Sequence, residues 1–336
     1  MQALQSWHNH YQGLLDSGAI REGNYPEIMY HGEPRKNAIV LVHGLTDSPY
    51  FMKAIAKRFY AMGFNVLLPL LPGHGLKIPD RKIDTVTFFE WQDEVDFAVD
   101  CATGLGKQIS IGGLSAGGTL ATYKAITDKQ HINGALFLFG AALDIHDPIE
   151  VVLRFDSFLK VASYIQVNRN KNVIDLLKNA FEKEDVGRKE HKKVKVPPNL
   201  QRQSKDDKNI WAIGDNPYRY VEMTLNGAGQ LADLIKQIED LYTGRDKYSD
   251  ITQPIFAAHS ESDIAAGIGE IELLIKNHPY AGETEIFRIE KSLNVAHPSV
   301  VLEEDIRVDN EVLEKRNPVF DQMMACTEAF VSKHLK

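Results

Sequence analysis

The sequence predicts an α/β fold with a mostly parallel central sheet and helices on both faces. Apolar runs of strand length recur along the chain without polar alternation, which is typical of strands buried on both sides. Segments with helical periodicity follow these runs, and the alternation repeats four times before residue 143. Strands that alternate with helices in this way form βαβ units around a parallel sheet.

The first part of the chain carries the regular alternation. The apolar run at 37–42 is the first buried strand, and the spacing of Phe51, Ile55 and Phe59 predicts the helix that follows it, at 50–62. The other predicted elements are an amphipathic helix at 4–15, an edge strand at 27–31, strands at 64–71, 109–114 and 134–140, and helices at 86–101 and 116–127.

The alternation breaks at residues 144–215, which are predicted to form a lid or cap insertion above the sheet. This segment contains helical pieces at 151–159 and 173–181, then a charged tract at 182–208. Such a charge run can bind phosphate groups, but a solvated surface is the commoner role. The α/β core is expected to comprise residues 1–143 and 216–336.

The pattern resumes after the insertion. Its predicted elements are a helix at 218–242, a strand at 254–259, a helix at 264–276, a strand at 285–289 and a closing helix at 318–334. Asp263 follows the first of these strands and His297 follows the second. Because parallel strands present their carboxyl ends at one edge, both side chains are expected at that edge.

Composition limits the classes of function. The chain has 336 residues with 46 acidic and 38 basic side chains, and its net charge of −8 argues against non-specific binding of nucleic acid or anionic membranes. Two cysteines provide neither a disulfide framework nor a cysteine-based metal site. We find no signal peptide pattern and no run near the ~20 apolar residues of a membrane span. A cytoplasmic location is the expectation.

The segment Gly113-Leu114-Ser115-Ala116-Gly117 is a G-x-S-x-G motif between a predicted strand and a predicted helix. The tight turn holds a serine hydroxyl in the open, and its flanking residues must be small. The Ala116 N–H lies at the helix N-terminus, where it can stabilise an oxyanion. A second donor is expected from the loop after His43-Gly44, at the Leu45 N–H.

A serine nucleophile needs a base, and the base needs a carboxylate that orients it. His297 is the preferred base because it follows the last predicted strand, whereas His43 and His259 are interpreted as structural. Asp263 is the preferred acid. The nearby alternatives are Glu261 and Glu270, and the distant ones are Asp144 and Asp147, which follow the preceding sheet strand.

Together these motifs resemble the α/β-hydrolase superfamily, most closely its carboxylesterase and monoacylglycerol lipase-like members. The resemblance rests on His43-Gly44-Leu45, Pro72-Gly73-His74-Gly75, the serine motif, Asp263 and His297. It implies Ser115 as the nucleophile, Asp263 and His297 as its partners, and Leu45 with Ala116 as the oxyanion hole. No cofactor or metal is implied.

The leading hypothesis is a serine esterase or lipase that acts on a small-molecule ester or lipid-like substrate through an acyl-enzyme. An acyltransferase or thioesterase with the same residues is the alternative. A binding protein without turnover is a third hypothesis, which an intact set of catalytic residues disfavours. A peptidase is also compatible with the superfamily, but no residue marks a site for an amine.

Overall fold

The computed structural model describes residues 2–77, 85–145, 210–212, 216–220, 222–308 and 310–335. The strands are β1 Glu27–Met29, β2 Arg35–Val42, β3 Asn65–Leu68, β4 Gly106–Leu114, β5 Leu136–Phe139, β6 Ile210–Ala212, β7 Glu222–Thr224, β8 Ile255–Ser260, β9 Thr284–Ile289, β10 Ile306–Val308 and β11 Glu311–Glu314. The helices are α1 Gln2–Asp16, α2 Lys53–Ala61, α3 Phe88–Thr103, α4 Ala116–Thr127, α5 Leu225–Asp240, α6 Gly269–Lys276 and α7 Phe320–His334. Short 3-10 turns occur at Pro49–Met52, Lys291–Leu293 and His297–Val301.

Within the described residues the main sheet has seven strands in the order β1-β3-β2-β4-β5-β8-β9. Only β1, at one edge, is antiparallel to its neighbour. The predicted mostly parallel sheet is therefore confirmed. All the parallel strands end at one edge of the sheet, so the loops after them meet there.

The sheet separates two apolar layers because neighbouring residues of a strand point to opposite faces. Val40 of β2 packs with residues of α1, α3, α4 and α5 on one face. The adjacent Ile39 and Leu41 pack with residues of α2 and α7 on the other. Residues 38–42 are fully buried, which explains why this run is apolar without alternation.

Two predicted helices begin more than one helical turn later than the sequence pattern indicated. The helix predicted from Tyr218 begins at Leu225, because the Tyr218 N–H donates to Asn216 Oδ1 and the Tyr220 N–H donates to Thr46 O. The helix predicted from Ile264 begins at Gly269, because a side-chain carboxylate accepts from the backbone N–H groups of residues 265 and 266.

The predicted insertion at 144–215 lies almost wholly outside the described residues. Of its length, residues 144–145 and the strand β6 are described. The helical pieces at 151–159 and 173–181, the charged tract at 182–208 and Asp147 all lie outside. Strand β6 pairs antiparallel with β7, so this small ladder joins the end of the predicted insertion to the predicted core.

Candidate active site

Ser115 occupies the sharp turn between β4 and α4. Its φ of 54° and ψ of −121° place it in backbone territory that a residue with a side chain rarely adopts. A Cβ on Gly113 would lie 2.3 Å from the Gly117 carbonyl carbon, and one on Gly117 would lie 2.1 Å from Val42 O. Neither position has room for a side chain, so the two glycines permit strand and helix to close around the serine.

The backbone of Ser115 is held on both sides. Its N–H donates to Phe139 O at 3.2 Å, and its carbonyl accepts from the N–H groups of Thr119 at 3.1 Å and Ala142 at 3.2 Å. Its side-chain Oγ, in contrast, has no hydrogen-bond partner among the described residues. The fold thus fixes the main chain of this serine. The prediction that its hydroxyl lies in the open is wrong, because the helix and the neighbouring loops leave Ser115 only 1% exposed.

Asp263 and His297 are joined by a hydrogen bond. His297 Nδ1 lies 2.6 Å from Asp263 Oδ2, and both side chains are almost completely buried. The other carboxylate oxygen, Oδ1, accepts from the N–H groups of Ala265 at 2.8 Å and Ala266 at 3.0 Å. An ionised carboxylate only accepts, so Nδ1 carries the proton and Nε2 is left as the basic nitrogen.

The charge on Asp263 is maintained in spite of its burial. Burial by itself raises the pKa of the carboxyl group. The charge of His297 and its hydrogen bond, then the charge of His259 and the Ala266 N–H, outweigh that effect and hold the pKa of Asp263 below its ordinary value. The carboxylate therefore stays ionised and can stabilise a positive charge on the imidazole.

Gly140 brings the hydrogen-bonded pair Asp263 and His297 close to the serine turn. A Cβ on this residue would lie 3.5 Å from Asp263 Oδ2 and 3.6 Å from His297 Nδ1, while the preceding Phe139 O accepts from the Ser115 N–H. Gly140 has a φ of 53°, which glycine adopts without strain. Gly140 was not among the predicted site residues, although a glycine directly after a buried strand was a usable signal.

The loop after β2 lies against the same serine. A Cβ on Gly44 would lie 3.3 Å from Ser115 Cβ. The Gly44 carbonyl accepts from the Asp47 N–H at 3.1 Å and lies 2.9 Å from His43 Nδ1. The N–H and C=O of a trans peptide point in opposite directions, so these contacts aim the Leu45 N–H away from His43.

His43 is held in one tautomer by its two contacts. Its Nε2 accepts from the Leu71 N–H at 3.1 Å, so its Nδ1 carries the proton and donates to Gly44 O. Burial lowers the pKa of His43 well below its ordinary value, the neighbouring His74 adds to that effect, and the Gly44 carbonyl opposes it. A neutral His43 therefore supports the loop that carries Leu45.

The alternative acids lie in other environments. Both oxygens of Asp144 accept from the Gly267 N–H at 3.1 Å. Glu261 accepts from the Lys291 N–H, and Glu270 pairs with Lys247. His259 is buried, with Nε2 4.0 Å from Asp263 Oδ2 and 3.1 Å from Ala266 O, and burial lowers its pKa.

The described residues hold no group of three or more histidine, cysteine, aspartate or glutamate side chains placed to bind a metal ion. In the same part of the chain, no helix has the length and apolarity needed to cross a membrane.

Comparison with known proteins extends these observations. A family model described as serine aminopeptidase, S33, matches residues 33–284. A thermostable monoacylglycerol lipase from Bacillus sp. (strain H-257) is 33% identical over 96 residues, which cover 29% of this chain and 38% of that protein. This chain therefore aligns with less than half of that relative's length.

Solved structures resemble the chain over most of its length. One belongs to the metagenome-derived lipolytic enzymes LipS and LipT, with a TM-score of 0.61, 18% identity and coverage of 94% of this chain and 100% of the other. The monoacylglycerol lipase of Paleococcus ferrophilus gives a TM-score of 0.55, 17% identity and coverage of 92% and 98%. At these identities the likeness concerns the fold.

Proposed function

The chain belongs to the serine aminopeptidase S33 family and has the α/β-hydrolase fold, and from this premise we propose that it is a serine hydrolase of carboxylic esters. The observation that carries the proposal is the Asp263–His297 hydrogen bond, which lies against Gly140 beside the strained Ser115 turn. Acyl transfer requires a nucleophile, a base and a carboxylate that orients the base, and Ser115, His297 and Asp263 are the residues proposed for these roles.

The reaction begins when Ser115 Oγ attacks the ester carbonyl carbon and His297 Nε2 accepts the hydroxyl proton. The carbonyl electron pair moves to oxygen, and the N–H groups of Leu45 and Ala116 stabilise the oxyanion. The first N–H groups of a helix have no partner within it, so the Ala116 N–H is available for this role. His297 stays oriented by Asp263 and gains a positive charge that the carboxylate stabilises.

The tetrahedral intermediate collapses when the C–O bond to the alcohol breaks. His297 donates its Nε2 proton to the departing oxygen, and the acyl group stays on Ser115 as an ester. Water then attacks this acyl-enzyme with His297 again as the base, and the products are a carboxylic acid and the free serine. These reaction steps use only groups of the protein, the substrate and water.

We place the substrate among neutral esters of the monoacylglycerol kind. The net charge of −8 disfavours anionic substrates. The relative from Bacillus sp. and the structural neighbour from Paleococcus ferrophilus are both named as monoacylglycerol lipases.

The test compares the native protein with Ser115→Ala and with the matched control Ser110→Ala. Ser110 lies in β4, where its Oγ accepts from the Ala135 N–H, so this variant removes a buried serine hydroxyl outside the turn. Hydrolysis is measured on p-nitrophenyl esters from acetate to palmitate and on 1-monoacylglycerols. We expect Ser115→Ala to lose about 10³-fold or more in kcat and Ser110→Ala to keep most of its activity.

Because the matching family is described as a serine aminopeptidase, aminoacyl p-nitroanilides are assayed in parallel. Turnover of anilides without turnover of any ester would overturn the ester proposal while leaving Ser115 as the nucleophile. Equal activity of Ser115→Ala and Ser110→Ala would overturn the proposed nucleophile itself.

A further inference from the structure

Arg219 connects three distant parts of the chain in the buried interior. Its Nε and Nη2 donate to Asp47 Oδ1 at 3.0 and 2.7 Å, and its Nη1 donates to Glu314 Oε1 at 2.7 Å. The three side chains are only 3%, 3% and 10% exposed. Asp47 belongs to the loop after β2, Arg219 to the segment before β7 and Glu314 to the end of β11.

This buried cluster is poorly explained by stability alone. Burying two carboxylates and a guanidinium removes their hydration, and well-packed apolar side chains in the same place are often equally stabilising. Burial raises the pKa of Glu314, Arg219 opposes that effect, and Asp47 adds to it. What such a cluster does provide is fixed geometry, because a guanidinium offers its donors in a rigid planar arrangement.

The geometry that Arg219 fixes is that of the loop beside Ser115. The Asp47 N–H donates to Gly44 O at 3.1 Å, and Gly44 O belongs to the same peptide unit as the Leu45 N–H. A Cβ on Gly44 would lie 2.4 Å from Asp47 Oδ2 and 3.3 Å from Ser115 Cβ. The Gly44 backbone is therefore held between the carboxylate that Arg219 binds and the serine.

The main chain around Arg219 is tied to the same loop. The Tyr220 N–H donates to Thr46 O at 2.7 Å, and Ser48 Oγ donates to Tyr218 O at 2.8 Å. The Arg219 guanidinium also lies over the Phe51 ring, 5.0 Å from its centroid. Residues 216–220 and the loop at 44–48 thus form one connected unit, with Arg219 Nε and Nη2 at its centre.

We propose that Arg219 is a positioning residue: by holding Asp47 it fixes the Gly44–Leu45 peptide, and with it the second oxyanion donor, opposite Ser115. The proposal rests on the function proposed above. It concerns the transition state, because an oxyanion donor stabilises charge that develops only during the reaction. The expected effect is therefore on kcat rather than on KM.

The test uses Arg219→Met, Arg219→Lys and the matched control Arg58→Met. Arg58 also bridges two carboxylates, Glu303 and Asp321, and lies 5.5 Å from the centroid of the Phe320 ring, but it stands outside the proposed catalytic residues. Steady-state kinetics are measured on the best ester and on the matching thionoester, whose C=S sulfur accepts hydrogen bonds only weakly. Urea unfolding reports the stability of each variant.

We expect Arg219→Met to lower kcat by about 10- to 100-fold with KM changed by less than about threefold, because the donor is displaced rather than removed. The ratio of oxoester to thionoester kcat/KM should fall by about tenfold, since only the oxoester depends strongly on the hydrogen bond. Arg219→Lys should recover part of both losses, because an ammonium keeps the charge but not the fork of donors. Arg58→Met should change neither.

A loss of stability in Arg219→Met without a change in kcat or in the oxoester to thionoester ratio overturns the proposal. So does a lower kcat with an unchanged ratio, which marks a general structural role. If Arg219→Met does not fold, the same ratio in Arg219→Lys decides. Failure of the underlying function is seen separately, as a native protein without ester turnover or an active Ser115→Ala variant.

Discussion

Replacing Gly117 by alanine perturbs the contact between the serine turn and β2. The new Cβ would lie 2.1 Å from Val42 O, 2.5 Å from His43 O and 2.6 Å from the Val42 carbonyl carbon. Real Cβ contacts essentially never fall below 3.0 Å, so the closest pair must separate by at least 0.9 Å, the difference between 3.0 and 2.1 Å. All three contacts are backbone atoms, so no side-chain rotation relieves them.

The size of the effect follows from this displacement. Overpacking of a closed interior costs about 1–3 kcal/mol of unfolding free energy. Moving Ser115 away from the Leu45 loop by roughly 1 Å is expected to lower kcat about 10²-fold, because reacting groups must be aligned within a small tolerance. The variant should therefore fold with reduced stability and lose most of its ester hydrolysis.

Gly13→Ala is the matched control. Gly13 lies inside α1, and a Cβ there meets nothing within 4 Å. Alanine should stabilise this helix by about 0.5–1 kcal/mol and leave kcat unchanged. Urea unfolding and the p-nitrophenyl ester assay measure both quantities. A Gly117→Ala protein with native stability and a kcat close to that of Gly13→Ala would refute the steric argument.

Three further predictions concern titratable residues. Asp263→Asn should lower kcat on the order of 10³- to 10⁴-fold because the amide does not hold His297 in the same tautomer, whereas Asp144→Asn should stay within about tenfold; equal losses in the ester assay would contradict the choice of acid. The pKa of Asp263 is lowered in the folded chain, so its carboxylate adds stability above its ordinary pKa of ~3.9, and this stability is lost as pH falls through the folded pKa. Urea titrations at pH 5 and pH 3 should therefore show a smaller decrease in the free energy of unfolding for Asp263→Asn than for the native protein. The pKa of His43 is also lowered, so the unfolded chain binds more protons below pH ~6.5 and the protein loses stability as pH decreases. The free energy of unfolding plotted against pH should be steeper for the native protein than for His43→Gln by up to ~1.4 kcal/mol per pH unit. Parallel plots would show that His43 is not kept neutral.

Local features of the sequence were sufficient for the fold and for the serine turn. Strands buried on both faces require apolar residues throughout, so the run at 37–42 was correctly predicted as a buried strand. The helix predicted at 116–127 matches α4 in both bounds. The turn before it depends on residues that are contiguous in the chain, because Gly113 and Gly117 must both lack a side chain for Ser115 to adopt its backbone conformation.

The sequence patterns did not predict two short strands, and they placed the start of one helix too early. Strands β10 and β11 contain three and four residues, which is too short for a periodic pattern, and neither was predicted. The start of α5 was predicted too early because the apolar spacing carries no information on where a backbone donor is bound. The Tyr220 N–H donates to Thr46 O, a residue of another loop, and so is unavailable to a helix.

Which groups meet across the molecule was decided only by the tertiary structure. Asp144 and Asp263 both follow buried strands, and although Asp263 was the preferred acid, only the structure places His297 Nδ1 on Asp263 and the Gly267 N–H on Asp144. Arg219 contacts a carboxylate 172 residues away and another 95 residues away. The sequence by itself determined the features that depend on neighbouring residues, namely the buried strands, the helix periodicity and the glycine turn. Long-range pairing depends on how strands stack and where loops return, because charges and hydrogen-bonding groups act over a few ångströms in space whatever their separation along the chain.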